Sequence, residues 1–335
     1  MSVLKSKEEV ILKPEEVTRT VLPSIIQHEE VSHDYVVAID FGGTKIDVAT
    51  ANLHGQLLQQ HRIETMASKG ARQAIERATA MARELIAITA EMTGGHCLAV
   101  GGVSPGIILP DRVLFAPNIP GWEQLALLDM IREDLAIPHV AVGNDVKAAA
   151  VAEARWGSLK DADPAIFLNL GTGIGAALII NGRVFTGSHG AAGEIAYTLR
   201  GIPNERGAAY GHAPLEEAIG GRAISERGSI LLNRYMSAAD VFAYPDNRVH
   251  ELIDEILAEL AVHLANMAIF IDPMRIAVGG GMMGSAAIIL PALTTRLRSA
   301  VPFPPEVVQA QFVHDGALRG AIALALEAFA ENVQK

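Results

Sequence analysis

The chain has 335 residues, half of them hydrophobic, and a formal net charge of −11. That length suggests two domains, each able to bury a sizeable core, and the few aromatics leave those cores mostly to Ala, Val, Ile and Leu. The acidic balance argues against broad nucleic-acid binding. With Cys97 as the one cysteine, neither an internal disulfide nor a cysteine-based zinc site can form.

Residues 1–34 are charged and carry no strong period, so a leader is expected there, with one short helix over Glu15–Gln27. No apolar h-region opens the chain, and no stretch approaches the roughly 18–20 apolar residues of a membrane span. A soluble, cytoplasmic protein with no membrane partner is expected.

Tyr35–Ile39 is a short β-branched run that suits a buried strand. The turn DFGGTK follows at Asp40–Lys45. Ile46–Thr50 and Gln56–Ile63 read as the next strands, joined by a hairpin turn at Asn52–Gly55. Ala71–Met92 repeats apolar residues at helical spacing and stops at Gly94–Gly95. Cys97–Val103 is a strand, and a helix is expected from Glu123 to Leu135. His139–Val142 is a strand ending at Gly143–Asn144–Asp145, where an Ala-rich helix begins and the domain changes.

The second half repeats the theme. Ala165–Leu170 is a strand, GTGIG at 171–175 a turn, and Ala176–Ile180 with Arg183–Thr186 a hairpin. A loop-rich stretch covers 187–214, and helices are expected over 215–229, 236–240 and 249–271. Arg275–Val278 is a strand before GGGMMG at 279–284, and a last helix covers Ala317–Ala330.

Two strand–glycine–strand turns about 130 residues apart carry the chemistry. Glycine lets backbone N–H groups approach an anion closely, so Gly42, Gly43, Thr44 and Lys45 are candidate phosphate holders, as are Gly171, Thr172 and Gly173. Asp40 can hold Mg²⁺ through water. No long helix follows either turn, which argues against a dinucleotide-binding βαβ unit. Gly279, Gly280 and Gly281 suit a backbone platform against adenine or ribose. DFGGTK alone also fits an ordinary tight hairpin, and GGGMMG alone a strand-to-helix turn.

Together these residues resemble the ROK family of sugar kinases and sugar-responsive regulators, within the actin-like ATPase superfamily. DFGGTK resembles the family's first phosphate loop and LNLGTGIG at 168–175 its second. GNDVKAAAVAE at 143–153 resembles the segment that carries the catalytic aspartate, and GSHGAAGEIAY at 187–197 the family stretch. The resemblance runs from Tyr35 to Ala330. It implies an α/β, bilobal actin-like (ribonuclease H-like) fold with two similar domains around a central cleft. Residues 35–142, completed by helix 317–330, would form a small domain and 143–316 a large one.

The resemblance also implies an ATP- and Mg²⁺-dependent kinase of a hexose or N-acetylated hexosamine. Asp145 would be the general base, worth roughly 10²–10⁴-fold in rate; a helix cap is the other reading of Asn144–Asp145. Asn118, Asn144, Glu194 and Glu216 would bind sugar, with the hydroxyl of Tyr197 as a further candidate. A turn residue at 118, a helix-start charge at 216 and a stacked ring at 197 are the bland alternatives. Relatives often carry a zinc-binding His and three Cys after the glutamate. Here Tyr197 stands in place of that His and no cysteine follows Cys97, so no structural zinc is expected.

Regulators of this family carry a helix-turn-helix of roughly 60–80 residues, against 34 residues before the first strand here. The alternative reading is therefore a non-catalytic sugar-binding or regulatory protein without a DNA-binding domain. Polyphosphate as a second donor stays open, and a homodimer is expected by analogy.

Overall fold

The computed structural model describes residues 32–116 and 120–333. The described elements fall in a single unit that starts at His33. Of the expected leader only residues 32–34 are described; the helix over Glu15–Gln27 lies outside the described residues.

The first half builds one sheet. Strands β1 (Tyr35–Phe41), β2 (Lys45–Asn52) and β3 (Leu57–Glu64) form an antiparallel meander. Helix α1 (Ala71–Thr93) then leads to β4 (Cys97–Ser104), which joins β1 in parallel. A two-stranded ribbon, β5 (Ile107–Ile108) and β6 (Val113–Leu114), precedes α2 (Leu127–Leu135) and the parallel strand β7 (Val140–Asn144). The sheet order is β3-β2-β1-β4-β7.

Helix α3 (Asp145–Trp156) starts directly from β7 and carries the chain into the second half. There β8 (Ala165–Leu170), β9 (Ile174–Ile180) and β10 (Arg183–Phe185) form another meander. Helices α4 (Pro214–Ile219), α5 (Gly221–Leu232), α6 (Ala238–Ala243) and α7 (Asn247–Ile271) follow. Next come β11 (Arg275–Gly279), α8 (Ala286–Ala300), β12 (Glu306–Gln309) and α9 (Gly316–Val333). This sheet runs β10-β9-β8-β11-β12, with β8, β11 and β12 parallel. The order and sense of the five strands are the same in both sheets. The loose sequence repeat is thus a full topological repeat.

Both faces of each sheet are covered, as near-continuous apolar strands require. Alternate residues of β1 go to opposite sides: Val37, Ile39 and Phe41 pack with α1 and α2, while Val36 and Ala38 pack with α9. In β8, Ile166, Leu168 and Leu170 pack with α7, while Ala165 and Phe167 face α3. Helices α3 and α9 cross at backbone range. A Cβ on Gly320 would lie 2.2 Å from the Ala148 carbonyl, so the close approach needs glycine there.

Several expected helices need correction. The single helix over Glu123–Leu135 is a 3₁₀ turn at Trp122–Gln124, then α2, with Leu125 extended between them. The Trp122 ring is buried and its Nε1 donates to the Ser104 hydroxyl at 2.7 Å, which holds the chain out of helical path. The helix over 215–229 breaks at Gly220, which is extended and closes α4 on the Glu216 carbonyl. The 236–240 helix shifts to α6, started by a Ser237–Asp240 capping box. Helix α8 and strand β12 were not expected; Pro291 inside α8 hid its apolar four-residue spacing at Ile289, Leu293 and Leu297.

Candidate functional site

The first glycine turn, Gly42–Thr44, joins β1 to β2. It is fastened from the end of β3. Thr65 donates its backbone N–H to the Thr44 carbonyl at 2.9 Å and its hydroxyl to the Gly42 carbonyl at 2.6 Å. The Thr65 carbonyl in turn accepts from Nη2 of Arg77 on α1. With its carbonyls engaged behind, the turn keeps its N–H groups for an anion. Lys45 is exposed at the start of β2. Asp40 pairs in register with Asp47, which accepts from Arg62 at 2.8 Å.

The second turn, Gly171–Gly173, joins β8 to β9 and is closed by Gly171 N–H to the Gly173 carbonyl at 2.9 Å. The start of α5 backs it: Gly221 and Arg222 donate to the carbonyls of Gly171 and Thr172, each at 3.0 Å. Glu216 on α4 accepts from Ile174 N–H at 2.9 Å. Burial raises its pKa, the Ile174 N–H opposes this, and the Glu194 charge adds to it. Glu216 therefore sits against the second glycine turn, not on an exposed helix start.

Gly279 ends β11, and Gly280 lies against the same turn. Its φ is +90°, and a Cβ there would come within 2.4 Å of the Leu170 carbonyl. Gly280 lines a cavity of about 170 Å³ with Asp145, Asn169, Phe312 and His314. A neighbouring cavity of about 300 Å³ is bordered by Met283, Gly284, Gln311, His314 and Asp315.

One buried carboxylate sets the wall of both cavities. Glu153 of α3 has no exposure. Its Oε2 accepts from the Ser158 N–H and hydroxyl, each at 2.7 Å, and from Gln311 N–H at 3.2 Å; its Oε1 accepts from Phe312 N–H at 2.6 Å. The helix that carries Asp145 at its first residue thus grips the loop 311–315 near its last turn.

Asn144 is the N-cap of α3. Its Oδ1 accepts from Lys147 N–H at 3.0 Å and its Nδ2 donates to the Gly106 carbonyl at 2.9 Å. Asp145 follows at the first helical position and lines the smaller cavity. Burial pushes its carboxyl up to about 6; the Val146 N–H at 2.8 Å and Lys147 oppose, and Glu194 adds. Asp40 is pushed up to about 8, first by burial, then by the charges of Asp145 and Asp47. The charge of Asp145, at the start of α3, therefore reaches Asp40, at the end of β1.

Glu194 follows Gly193, whose φ is +84° and whose Cβ would lie 2.0 Å from the Ala176 carbonyl. That contact presses the 191–195 segment onto β9. Glu194 Oε1 accepts from the Lys147 ammonium at 3.1 Å. Tyr197 packs its ring on Phe115 at 5.2 Å between centroids, and burial raises its hydroxyl pKa, with Glu194, Glu216 and Glu123 adding. Asn118 lies outside the described residues. Trp122 and Glu123 anchor the chain just beyond it: Trp122 stacks on Phe41 at 5.3 Å, and Glu123 accepts from Ala116 N–H at 3.0 Å.

The 198–214 loop is held by ion pairs. The Arg200 guanidinium forks onto Glu259 of α7, with Nη2 to Oε2 at 3.0 Å, and Arg200 N–H donates to Glu205 at 2.6 Å. His212 Nδ1 lies 3.2 Å from Glu217.

Sequence reasoning missed Thr65, Lys147, Glu153 and Arg200. For Lys147 and Glu153 a signal was present: two charges inside an alanine-rich helix that must be buried. Thr65 and Arg200 act through backbone contacts and pairings between distant segments, which no local spacing announces.

These features define the class: an α/β protein of the actin-like ATPase fold, with paired glycine turns and an aspartate at the helix start that links its halves. The ROK family model matches residues 36–328, and the chain belongs to that family. It is 28% identical over 285 residues to the glucokinase of Halalkalibacterium halodurans, covering 78% of this chain and 84% of that one. It is likewise 28% identical over 295 residues to the N-acetylmannosamine kinase of Escherichia fergusonii, covering 86% and 97%. Among solved structures it is similar to a ROK glucokinase from Streptomyces griseus in complex with glucose and AMPPNP, with TM-score 0.70, 26% identity and coverage of 88% and 99%. Among the described residues no helix is long and apolar enough to cross a membrane.

Proposed function

We propose that this chain, an ATP-dependent sugar kinase by family and fold, transfers the γ-phosphoryl of ATP to a hydroxyl of a hexose or N-acetylated hexosamine. Asp145 is the general base. The observation that carries this reading is the position of Asp145: it opens α3, lines the same cavity as Gly280 and Asn169, and shares its field with Asp40. The kinases of glucose and N-acetylmannosamine among its relatives support the substrate class.

Phosphoryl transfer asks for in-line positioning and charge neutralisation more than covalent help. The turns at 42–44 and 171–173 supply backbone N–H groups for phosphate oxygens, and Gly280 gives a backbone surface for the nucleoside. As the new O–P bond forms and the bond from the γ-phosphorus to the departing ADP oxygen breaks, Asp145 accepts the proton of the acceptor hydroxyl. A pKa near 6 leaves it ionised at neutral pH yet basic enough to take that proton. Glu194 and Glu216 accept from sugar hydroxyls, with Asn144, Asn118 and Tyr197 as further contacts.

Mg²⁺ fits this donor set. Burial, with the charges of Asp145 and Asp47 adding, raises the pKa of Asp40, and a cation beside that carboxylate would offset both. Among the described residues no cluster of three or more His, Cys, Asp or Glu could hold a metal ion. Bound with ATP, Mg²⁺ neutralises phosphate charge, and Asp40 would hold it through water.

A coupled ATP-consumption assay over hexoses, N-acetylhexosamines and free amino sugars tests the proposal. Turnover on at least one neutral hexose or N-acetylhexosamine is expected. Sugar binding without ATP consumption across the panel would favour the non-catalytic sugar-binding alternative.

A further inference from the structure

Lys147 is two residues beyond Asp145 and only 8% exposed. A buried ammonium is costly to desolvate unless paired. This one also sits in the first turn of α3, where the positive end of the helix dipole opposes a cation. The next three residues, Ala148, Ala149 and Ala150, are small and buried, so packing alone does not call for a long charged side chain. What holds it is Glu194, whose Oε1 lies 3.1 Å from Nζ.

The Glu194 charge reaches Asp145 of α3, Tyr197 of the following turn and Glu216 of α4, and it pairs with Lys147 of α3. Of these Lys147 alone is a cation. With one carboxylate oxygen engaged by Lys147, Glu194 has the other with which to accept from a substrate hydroxyl. The ammonium has donors beyond the one given to Glu194.

We infer that Lys147 is a specificity-determining residue of the acceptor site: Glu194 and Lys147 together read a vicinal pair of oxygens on the sugar. Glu194 accepts from one hydroxyl, and Lys147 donates to the oxygen on the adjacent carbon. This rests on the sugar-kinase reading and extends it to a substrate class, polyols with two adjacent ring oxygens at the recognised edge. Acetamido oxygen or hydroxyl serves equally as the acceptor from Lys147, so glucose-type and N-acetylated sugars both fit, and a deoxy sugar lacking one partner does not.

The experiment measures kinetics and sugar Kd for the best acceptor and its single-deoxy analogues, in wild type, Lys147→Met and Lys147→Arg. In Lys147→Met the sugar KM is expected to rise about 10–100-fold, the loss that follows removal of a buried polar partner, while the KM for ATP stays within about 3-fold. Of the two adjacent deoxy positions that cost the wild type most, one is expected to cost Lys147→Met about 3-fold or less, because the reader of that oxygen is gone, while the other keeps the penalty set by Glu194. Lys147→Arg is expected to recover part of the affinity. A sugar KM within 2-fold of wild type, or a deoxy penalty undiminished at both positions in Lys147→Met, would overturn the inference. If Lys147→Met does not fold, the neutral pair Lys147→Met with Glu194→Gln is compared with Glu194→Gln alone under the same criteria. Should the wild type bind sugars without phosphorylating them, the kinase reading fails while the same comparison in Kd still decides the role of Lys147. Binding of no sugar at all would overturn both.

Discussion

The hydroxyl of Thr65 donates to the carbonyl of Gly42 at 2.6 Å, while the Thr65 N–H holds the carbonyl of Thr44 at 2.9 Å. One fully buried residue thus grips both ends of the first glycine turn, the proposed phosphate holder. Replacing Thr65 by Val keeps the volume and removes the hydroxyl. The lost hydrogen bond costs about 1 kcal/mol of stability. The KM for ATP is expected to rise roughly 5–10-fold, with the sugar KM unchanged. Steady-state kinetics with each substrate varied in turn check this; parallel rises in both KM values would contradict it.

Glu153 gives a second handle on the nucleotide side. Its carboxylate meets four donors without solvent. Glu153→Gln replaces an acceptor by an amide that turns its own N–H groups toward those donors, and destabilisation of about 2 kcal/mol or more is expected. Because Gln311 and Phe312 begin the wall of both cavities, the KM for ATP should also rise, at temperatures well below the melting transition. Denaturant unfolding and ATP-dependent kinetics measure the two effects separately.

Much of this site was legible in the sequence, and the reason is local. Glycine turns between apolar strands announce themselves, because close backbone approach leaves few residue choices. Gly193 and Gly280 are such cases, each meeting a carbonyl where a Cβ would stand. Asn144 and Asp145 were legible as a pair, but which of them caps α3 was not. The structure divides them, with Asn144 capping α3 and Asp145 facing the cavity. The helix boundaries near Trp122 and Gly220 were not legible, since burial of an indole and closure on a distant turn decide them. The contacts that fasten the 198–214 loop were equally hidden: Arg200 and Glu259 are 59 positions apart.

The carboxylate of Asp40 predicts an inverse dependence of stability on pH. Its folded-state pKa is raised from 3.8 to about 8, so between those values the native state keeps a proton that the unfolded chain releases. Its contribution is therefore most favourable below pH 3.8 and is lost as pH rises toward 8. Asp40→Asn, neutral throughout, should melt higher than wild type at pH 8 in the absence of nucleotide and metal, and the gap should shrink toward pH 4. Thermal melts of both proteins across this window check it, and parallel Tm profiles would contradict it.

As the proposed base, Asp145 is expected to set the acid limb of activity. With its pKa raised from 3.8 to about 6, kcat/KM for the sugar at saturating Mg-ATP should fall about tenfold per pH unit below pH 6 and level off above it. A limb centred near pH 4 would mean that a carboxylate in ordinary solvent, not this one, carries the proton.

The most direct test pairs turnover with binding in Asp145→Asn. The substitution keeps the size of the side chain and its place at the start of α3, and removes its ability to accept a proton. The account predicts a fall in kcat of about 10²–10⁴-fold or more, with the sugar Kd, measured by calorimetry, within about 3-fold of wild type. Near-normal kcat on the best sugar would contradict the account and remove Asp145 from the role of base.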